Sequence, residues 1–144
     1  TFFAQAGLPL PWKMHGEDLS PLLENPKARR TSPAMLVHTG KFYGSATAKI
    51  PAKNDPALYH GPGVPWYVML AEGRYKYVRN LIKGEVEELY DLEKDPDELI
   101  NLALQPRHAQ RLAGFRAKAI AELRRTQAPF VDAMPQPNNK RHAK

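Results

Sequence analysis

The chain has 144 residues, of which 42% are hydrophobic and 25% are charged. A chain of this length and composition can form one globular domain with a substantial hydrophobic core. No apolar run approaches the roughly 18 residues that a membrane-spanning helix needs. The sequence contains no cysteine, which excludes disulfides, a cysteine nucleophile and thiolate metal ligands from this chain.

A formal charge of +6 and a pI near 9.6 suggest binding to nucleic acid or to another polyanion. The positions of the charges argue against a clear basic patch. Eight acids and one base, Lys94, lie between Glu85 and Glu98, whereas the predicted helix that follows carries six bases and one acid, Glu122. An acidic segment beside a basic helix can be neutralised within the molecule.

The N-terminal segment is predicted to consist of a helix end and a connector. Thr1–Ala6 is typical of the end of a helix, which Gly7 and Pro9 would terminate. Because the chain begins at Thr1 rather than at a methionine, we expect a fragment or a processed product. Residues 24–33 are polar, basic and bounded by prolines, which predicts a surface linker.

Four segments are predicted to form one antiparallel sheet. The middle two alternate in polarity and are joined at Gly73, whose freedom to adopt a positive φ suits a hairpin turn. Residues 40–65 carry too many glycines and prolines for a long regular element, and a loop of this length can shape a binding site. The predicted strands are Ala34–Thr39, Val64–Ala71, Tyr75–Ile82 and Val86–Leu92.

Two helices are predicted after the last strand. Asp95 precedes Pro96 and stands three residues before Glu98, the arrangement of a capping box with proline at the first helical position. The first helix would therefore begin at Asp95, and the second at Pro106. Their apolar positions recur at helical spacing: Leu99, Leu102 and Ala103 in the first, and Leu112, Phe115, Ala119, Ile120 and Leu123 in the second.

These elements predict an α+β fold, in which a small antiparallel sheet of three to four strands packs against a C-terminal helix. The apolar stripe of the second helix needs a partner, and one face of the sheet provides it. Burying five such side chains contributes several kcal/mol at about 25 cal/mol per Å². The prolines beyond residue 128 predict a trailing arm.

Three segments of the chain match motifs of one enzyme family. They are Ala-Gly-Leu-Pro followed by Gly-x-x-Leu-x-Pro-Leu-Leu within residues 6–23, the strand Gly73–Val78, and Glu-Leu-Tyr-Asp-Leu with Asp-Pro and Asn-Leu-Ala within residues 88–103. In this order and spacing the chain resembles the C-terminal portion of the sulfatases, which are sulfuric ester hydrolases of the alkaline-phosphatase-like superfamily.

The resemblance implies a division of the chain. Residues 1–27 would end an upstream catalytic α/β domain and connect it to a C-terminal α+β subdomain at residues 28–128, and residues 129–144 would form a flexible tail. By analogy with the family, the location would be periplasmic or extracellular.

The resemblance also implies a formylglycine and a divalent cation, calcium in this family, in the full-length enzyme. Formylglycine is made from the first residue of a Cys/Ser-x-Pro/Ala-x-Arg sequence. None of the three serines of this chain is followed by the required arginine, and the family's metal-binding segments are absent. No catalytic residue and no metal ligand is therefore expected here, and the catalytic centre would lie upstream.

The long loop supplies the candidate site residues. The five histidines of the chain lack the spacing of a metal site. His38, Lys41 and His60 lie at or within the loop, and equivalent loops of sulfatases help to wall the substrate pocket. The resemblance therefore suggests that these three residues approach the organic part of the substrate. The alternative is an ordinary solvated loop.

Two other groups of residues resemble binding sites. The aromatic residues of the sheet could stack RNA bases, but packing beneath the C-terminal helix explains them better. The aspartates that follow the last strand suggest a calcium loop, but they lack the glycine and the terminal glutamate of an EF-hand. These residues are Trp66, Tyr75 and Tyr77 in the first group, and Asp91, Asp95 and Asp97 in the second.

Two functions follow from these observations. The first is the C-terminal subdomain of a sulfatase that acts on a sulfated small molecule or saccharide, completes the fold and lines the substrate pocket, with the upstream catalytic domain as its partner. The alternative is a stand-alone basic α+β module that binds anionic polysaccharide or nucleic acid. An exposed apolar surface around Phe2, Phe3, Leu8 and Leu10 would favour the first function.

Overall fold

A computed structural model describes residues 1–25, 27–28, 32–61 and 63–138, and the chain divides into two compact units, Thr1–Pro33 and Ala34–Lys144. The first unit contains two short helices, α1 (Phe2–Gln5) and α2 (Ser20–Glu24). Gly7, with φ +65°, follows α1 as the sequence predicts. No helix in the part of the chain that the structure describes has the length and apolarity to span a membrane.

The second unit is built on a four-stranded antiparallel sheet. Its strands, in their order across the sheet, are β1 (Ala34–His38), β4 (Tyr67–Glu72), β5 (Tyr75–Asn80) and β6 (Glu87–Asp91). The short strands β2 (Tyr59–His60) and β3 (Val64–Pro65) pair separately. Turns at Gly73 and Gly84 join β4 to β5 and β5 to β6, and both glycines have a positive φ. The predicted α+β fold is confirmed, and the first predicted strand lies at the edge of the sheet.

Helix α3 (Ala109–Arg125) covers one face of this sheet. A single turn of 3-10 helix, Pro106–His108, precedes it, as the proline at the predicted helix start favours. Four of the five predicted stripe positions are buried, and Ile120 is half-buried. They pack with the sheet residues that alternate onto the same face, among them Val68, Leu70, Tyr77 and Leu89.

A buried carboxylate lies between α3 and the sheet. The Glu87 side chain is 0% exposed, and it accepts hydrogen bonds from the Tyr77 hydroxyl at 2.6 Å and from Arg116 Nε at 2.8 Å. Arg116 Nη2 also contacts the second Glu87 oxygen. Burial and then the bond to Glu87 raise the pKa of Tyr77, so that its hydroxyl remains a donor. This ion pair connects β6 to the middle of α3.

The loop between β1 and β4 contains only short elements, as its glycines and prolines predict. Two turns of 3-10 helix, Gly44–Thr47 and Pro56–Leu58, precede a small hairpin of β2 (Tyr59–His60) and β3 (Val64–Pro65). Leu58 is fully buried against Trp66, whose indole Nε1 donates to the carbonyl of Ala57 at 3.1 Å. The loop is therefore anchored to the core at its far end.

The predicted helix at Asp95 is wrong. The Asp95 carboxylate accepts hydrogen bonds from the amides of Leu99 at 3.1 Å and Ile100 at 2.8 Å, beyond the amides that a helix N-cap satisfies. Glu98 has φ +57°, which breaks a right-handed helix, and its carboxylate pairs with Lys76 at 2.7 Å. Leu99, a predicted core residue, is 81% exposed.

Asn101 replaces Asp95 as the residue that organises this corner. Its Oδ1 accepts from the amides of Leu89 at 3.0 Å and Ala103 at 2.9 Å, and its Nδ2 donates to the carbonyl of Glu87 at 3.0 Å. The Asn101 side chain thus hydrogen-bonds an amide and a carbonyl on the unpaired edge of β6. It also caps a 3-10 turn at Leu102–Leu104. Ala103 is buried as predicted.

Residues 129–138 pack against the core within the second unit and are not the flexible tail that their prolines predict. Phe130 is 2% exposed and joins the cluster around Trp66 and Leu123. Further along, Arg79 Nη2 donates to the carbonyl of Pro135 at 2.5 Å, and the amide of Asn138 donates to the carbonyl of Glu85 at 3.0 Å. Residues 139–144 lie outside the described residues.

Candidate functional site

The structure brings His38 and His60 together at one end of the sheet. His38 ends β1 opposite Tyr67, the first residue of β4, and the two rings stack with centroids 5.1 Å apart. The His60 ring meets the His38 ring edge-on at 5.6 Å. We call His38, His60 and Tyr67 the histidine cluster. The long loop carries His60 back to β1, which explains why two residues distant in sequence are neighbours.

The histidine cluster has hydrogen-bonding capacity that its surroundings do not use. His38 Nε2 is buried and has no hydrogen-bond partner among the described residues, whereas His60 is exposed. An imidazole nitrogen can donate or accept according to its tautomer. The cluster can therefore offer a hydrogen bond from an aromatic wall, a combination suited to a polar organic ligand.

Lys41 lies in the turn that follows His38 and points to Phe42. Its ammonium nitrogen stands 5.8 Å from the centroid of the Phe42 ring, and within the described ranges no contact joins it to either histidine. Gly40, with φ +59°, makes the turn possible, and a Cβ there would stand 3.7 Å from the Cβ of His60. The structure therefore places Lys41 beside the histidine cluster rather than in it.

Tyr67 also borders a groove on the sheet face opposite α3, with a volume of about 380 Å³. Its apolar lining includes Met69 and Val78, which alternate away from the helix. Alternation along β4 places Tyr67 and Met69 on this face, but nothing in the sequence alone marks Tyr67 as a site residue. The pairing of β1 with β4 could have identified it. Tyr67 lies directly opposite His38 in this pairing, so the two side chains are neighbours on the same face.

The charged groups around this groove all have partners within the protein. Lys76 binds Glu98, and Glu88 accepts from Asn80 Nδ2 at 3.2 Å and from the Tyr90 hydroxyl at 3.0 Å. Burial, followed by the neighbouring Glu88, raises the pKa of Tyr90 to about 12, so this hydroxyl stays protonated. Because its lining carries two carboxylates and one ammonium, the groove favours an uncharged part of a ligand over a sulfate group.

The two alternative sites have structural explanations. Trp66 and Tyr77 are buried beneath α3, and Tyr75 packs against Phe115 with ring centroids 6.2 Å apart, so no open platform for bases remains. Of the suggested calcium ligands, Asp91 pairs with Arg74 and Asp95 binds backbone amides. Among the residues that the structure describes, no group of three or more His, Asp or Glu could hold a metal ion.

Comparison with known proteins gives one curated relative that matches nearly the whole chain. The chain is 31% identical over 138 residues to a Delta 4,5-hexuronate-2-O-sulfatase of Bacteroides thetaiotaomicron, an alignment that covers 93% of this chain and 25% of that enzyme. The resemblance to the sulfatases is confirmed. The sulfatase-like chain spans about a quarter of this relative's length, in agreement with a C-terminal subdomain. No protein-family model matches it.

Solved structures show the same fold. A 2-O GAG sulfatase aligns with 99% of the sulfatase-like chain over 27% of its own length, with a TM-score of 0.67 and 24% identity. The phosphonate monoester hydrolase of Agrobacterium radiobacter aligns with 88% of the chain over 23% of its own length, with a TM-score of 0.59 and 26% identity. The sheet with its covering helix is therefore shared by enzymes with different ester substrates.

Proposed function

We propose that the full-length protein hydrolyses sulfate esters and that this chain is its C-terminal subdomain. The observation that carries the proposal is the 31% identity to a hexuronate-2-O-sulfatase over 93% of the chain. Identity spread over the whole sheet, the loop and α3 is better explained by common descent than by a shared short motif.

Residues 1–33 support a neighbouring domain as the partner of this chain. Phe2 is 90% exposed, and Phe3 is half-buried. Other large apolar side chains of this segment are exposed as well: Leu8, Leu10, Trp12 and Leu23. Apolar surface of this extent normally lies against another protein surface. An upstream catalytic domain of the same protein would cover it, as the sequence predicts.

The catalytic groups of such an enzyme would come from outside this chain. The side chains of this chain do not fit a divalent cation. The His38 and His60 rings meet edge-on, and among the described residues no carboxylate joins them to form a group of three possible ligands. The chain also has no cysteine. No serine has the sequence context for formylglycine. We therefore assign no catalytic step to these residues and restrict their role to substrate binding.

We propose that the histidine cluster and Lys41 contact the organic part of the substrate. His38 Nε2 would hydrogen-bond a hydroxyl of the sugar, His60 would bind from the exposed side, and Lys41 would add positive charge beside them. The open groove at Tyr67 would accept the uncharged remainder. The relative's hexuronate substrate suggests a sulfated saccharide, since an aromatic ring beside hydrogen-bonding groups suits a sugar.

A second candidate activity is supported by the phosphonate monoester hydrolase, which has the same fold and 26% identity. Phosphonate and sulfate monoesters both present anionic oxygens to the catalytic site, so this part of the chain does not distinguish them. The stand-alone binding module receives no support from these relatives, each of which is an enzyme several times longer than this chain.

Assays of the full-length protein test the proposal. We expect it to release inorganic sulfate from an unsaturated 2-O-sulfated hexuronate disaccharide with a kcat/KM at least about tenfold above that for a phenyl phosphonate monoester, a difference of about 1.4 kcal/mol in transition-state binding. Ion chromatography measures sulfate directly. Hydrolysis of the phosphonate ester alone would replace the proposal with the second candidate, and activity on neither ester would overturn both.

A further inference from the structure

A cleft of about 420 Å³ opens at the end of the sheet opposite the histidine cluster. It lies where the β4–β5 turn and the end of β6 meet the start of α3. Strands of six residues separate it from the cluster by roughly 17 Å. Its volume is in the range of small-molecule sites. Its lining contains four permanently charged basic side chains, Arg74, Lys94, Arg107 and Arg111, together with His108 and the carboxylates of Asp91 and Asp95. We call it the arginine cleft.

The lining of the arginine cleft keeps a net positive charge, because Arg74, Lys94, Arg107 and Arg111 outnumber the two lining carboxylates, Asp91 and Asp95. Arg74 pairs with Asp91 and Glu93, but Lys94, Arg107 and Arg111 form no ion pair in the described part of the chain. The first turn of α3 has no acid, so the positive end of its dipole adds to the field. The neutralisation of the basic helix by the acidic segment, which the sequence suggested, is therefore incomplete at the arginine cleft.

The cationic groups are held in place before any ligand binds. The Tyr75 ring lies 4.4 Å from the Arg111 guanidinium carbon and 5.2 Å from that of Arg74. Gln105 Oε1 accepts from Arg107 Nε at 3.0 Å, which leaves the two terminal amino groups of Arg107 for a ligand. Such preorganisation reduces the entropy lost on binding.

A second observation points to a ligand with more than a negative charge. Asp91 is 7% exposed and lines the arginine cleft, and its Oδ1 has no hydrogen-bond partner, while Oδ2 binds Arg74 at 3.0 Å. A buried acceptor without a donor is costly. A sulfate ion has no proton to donate and would be repelled by this carboxylate, whereas a hydroxyl group would satisfy it.

We propose that the arginine cleft binds an acidic saccharide unit. The carboxylate or sulfate of the sugar would be bound by Arg107 and Arg111, with Lys94 nearby, and a sugar hydroxyl would donate to Asp91 Oδ1. The site is separate from the histidine cluster and requires no hydrolysis. Its failure would leave the proposed sulfatase activity unaffected, and loss of that activity would leave this site in place.

Isothermal titration of the 144-residue chain with a hexuronate–glucosamine disaccharide carrying one 2-O-sulfate tests the proposal, with His38→Ala and His60→Ala present in every sample so that binding at the histidine cluster does not contribute. The double variant Arg107→Gln/Arg111→Gln is expected to bind at least about tenfold more weakly, because charge-assisted bonds are lost. Lys49→Gln/Lys83→Gln is the matched control. It removes the same charge from exposed lysines that do not line the arginine cleft, and its affinity should change less than about twofold. Circular dichroism confirms that both variants fold.

The choice of ligand separates a built site from simple attraction of anions. Binding of the sulfated and the desulfated disaccharide with equal affinity would identify the carboxylate as the anchor, and weaker binding of the desulfated form would identify the sulfate. A neutral disaccharide should not bind. No binding by the chain with both arginines intact, equal losses in the two double variants, or equal competition by sodium sulfate at the same concentration would overturn the proposal.

Discussion

Replacement of Glu87 by alanine is expected to lower the free energy of unfolding by about 3–5 kcal/mol, the cost of breaking a buried ion pair from one side. The Glu87 carboxylate is fully buried and is the acceptor for the Tyr77 hydroxyl and for Arg116. Its removal leaves the Tyr77 hydroxyl buried without this partner and the Arg116 guanidinium beside an empty space. Urea denaturation of the 144-residue chain, followed by tryptophan fluorescence, measures the change.

Glu93→Ala is the control for this substitution. Glu93 also pairs with an arginine, Arg74, at 2.9 Å, but its side chain is 66% exposed. Exposed ion pairs contribute less than about 1 kcal/mol, so the control should be close to the unchanged chain. A similar decrease in the free energy of unfolding in the two variants would show that Glu87 is not buried between α3 and the sheet.

Replacement of Phe130 by alanine is expected to cost about 3–5 kcal/mol, the usual loss for a buried phenylalanine. Phe130 is 2% exposed and contacts the cluster around Leu58, Trp66 and Leu123. The cavity left by the ring would lie where the loop, the sheet and α3 meet. Denaturation under the same conditions gives the stability, and faster proteolysis after residue 128 would show that residues 129–138 have been released.

Tyr43→Ala removes an aromatic ring of similar size that is 85% exposed, and should change stability by no more than about 0.5 kcal/mol. If Phe130→Ala were as mild as this control, residues 129–138 would be the flexible tail that the sequence predicts. The prolines of this segment suggested such a tail. The burial of Phe130 could not be foreseen, because no other apolar residues recur around it at the spacing of a helix or a strand.

The sheet and α3 could be predicted because their signals are local. Alternation along β4 and β5 and the helical spacing of Leu112, Phe115 and Leu123 are visible within short windows of sequence. Burial of these residues follows from their own pattern once the sheet and the helix face each other. The turns at Gly73 and Gly84 were equally local, since each needs only one residue with a positive φ.

The corner after β6 could not be predicted because distant residues determine it. Asp95, Pro96 and Glu98 have the spacing of a capping box, but Lys76 of β5 binds Glu98, and Asn101 binds the edge of β6. Those partners stabilise a turn in place of a helix. The capping pattern correctly indicated that Asp95 binds backbone amides, and it failed only in the identity of those amides.

Only part of the candidate site could be predicted, because contacts between distant residues form it as well. His38 and His60 were assigned to one loop, but their contact depends on the hairpin of β2 and β3, which a sequence with many glycines and prolines did not reveal. Alternation along β4 is enough to place Tyr67 on the same face as His38, but it does not reveal that the two rings are in contact. The arginine cleft was missed because its residues come from three segments, Arg74–Tyr75, Asp91–Asp95 and Ile100–Arg111.

The central claim is that this chain contributes to substrate binding in a sulfatase, and the kcat/KM of a His38→Ala/His60→Ala variant of the full-length protein tests it most directly. We expect a decrease of about 10- to 100-fold on a 2-O-sulfated hexuronate disaccharide, mainly through KM, since two substrate hydrogen bonds are lost. Tyr43→Ala, in the same loop, should retain full activity. An unchanged kcat/KM in the double variant would contradict the claim.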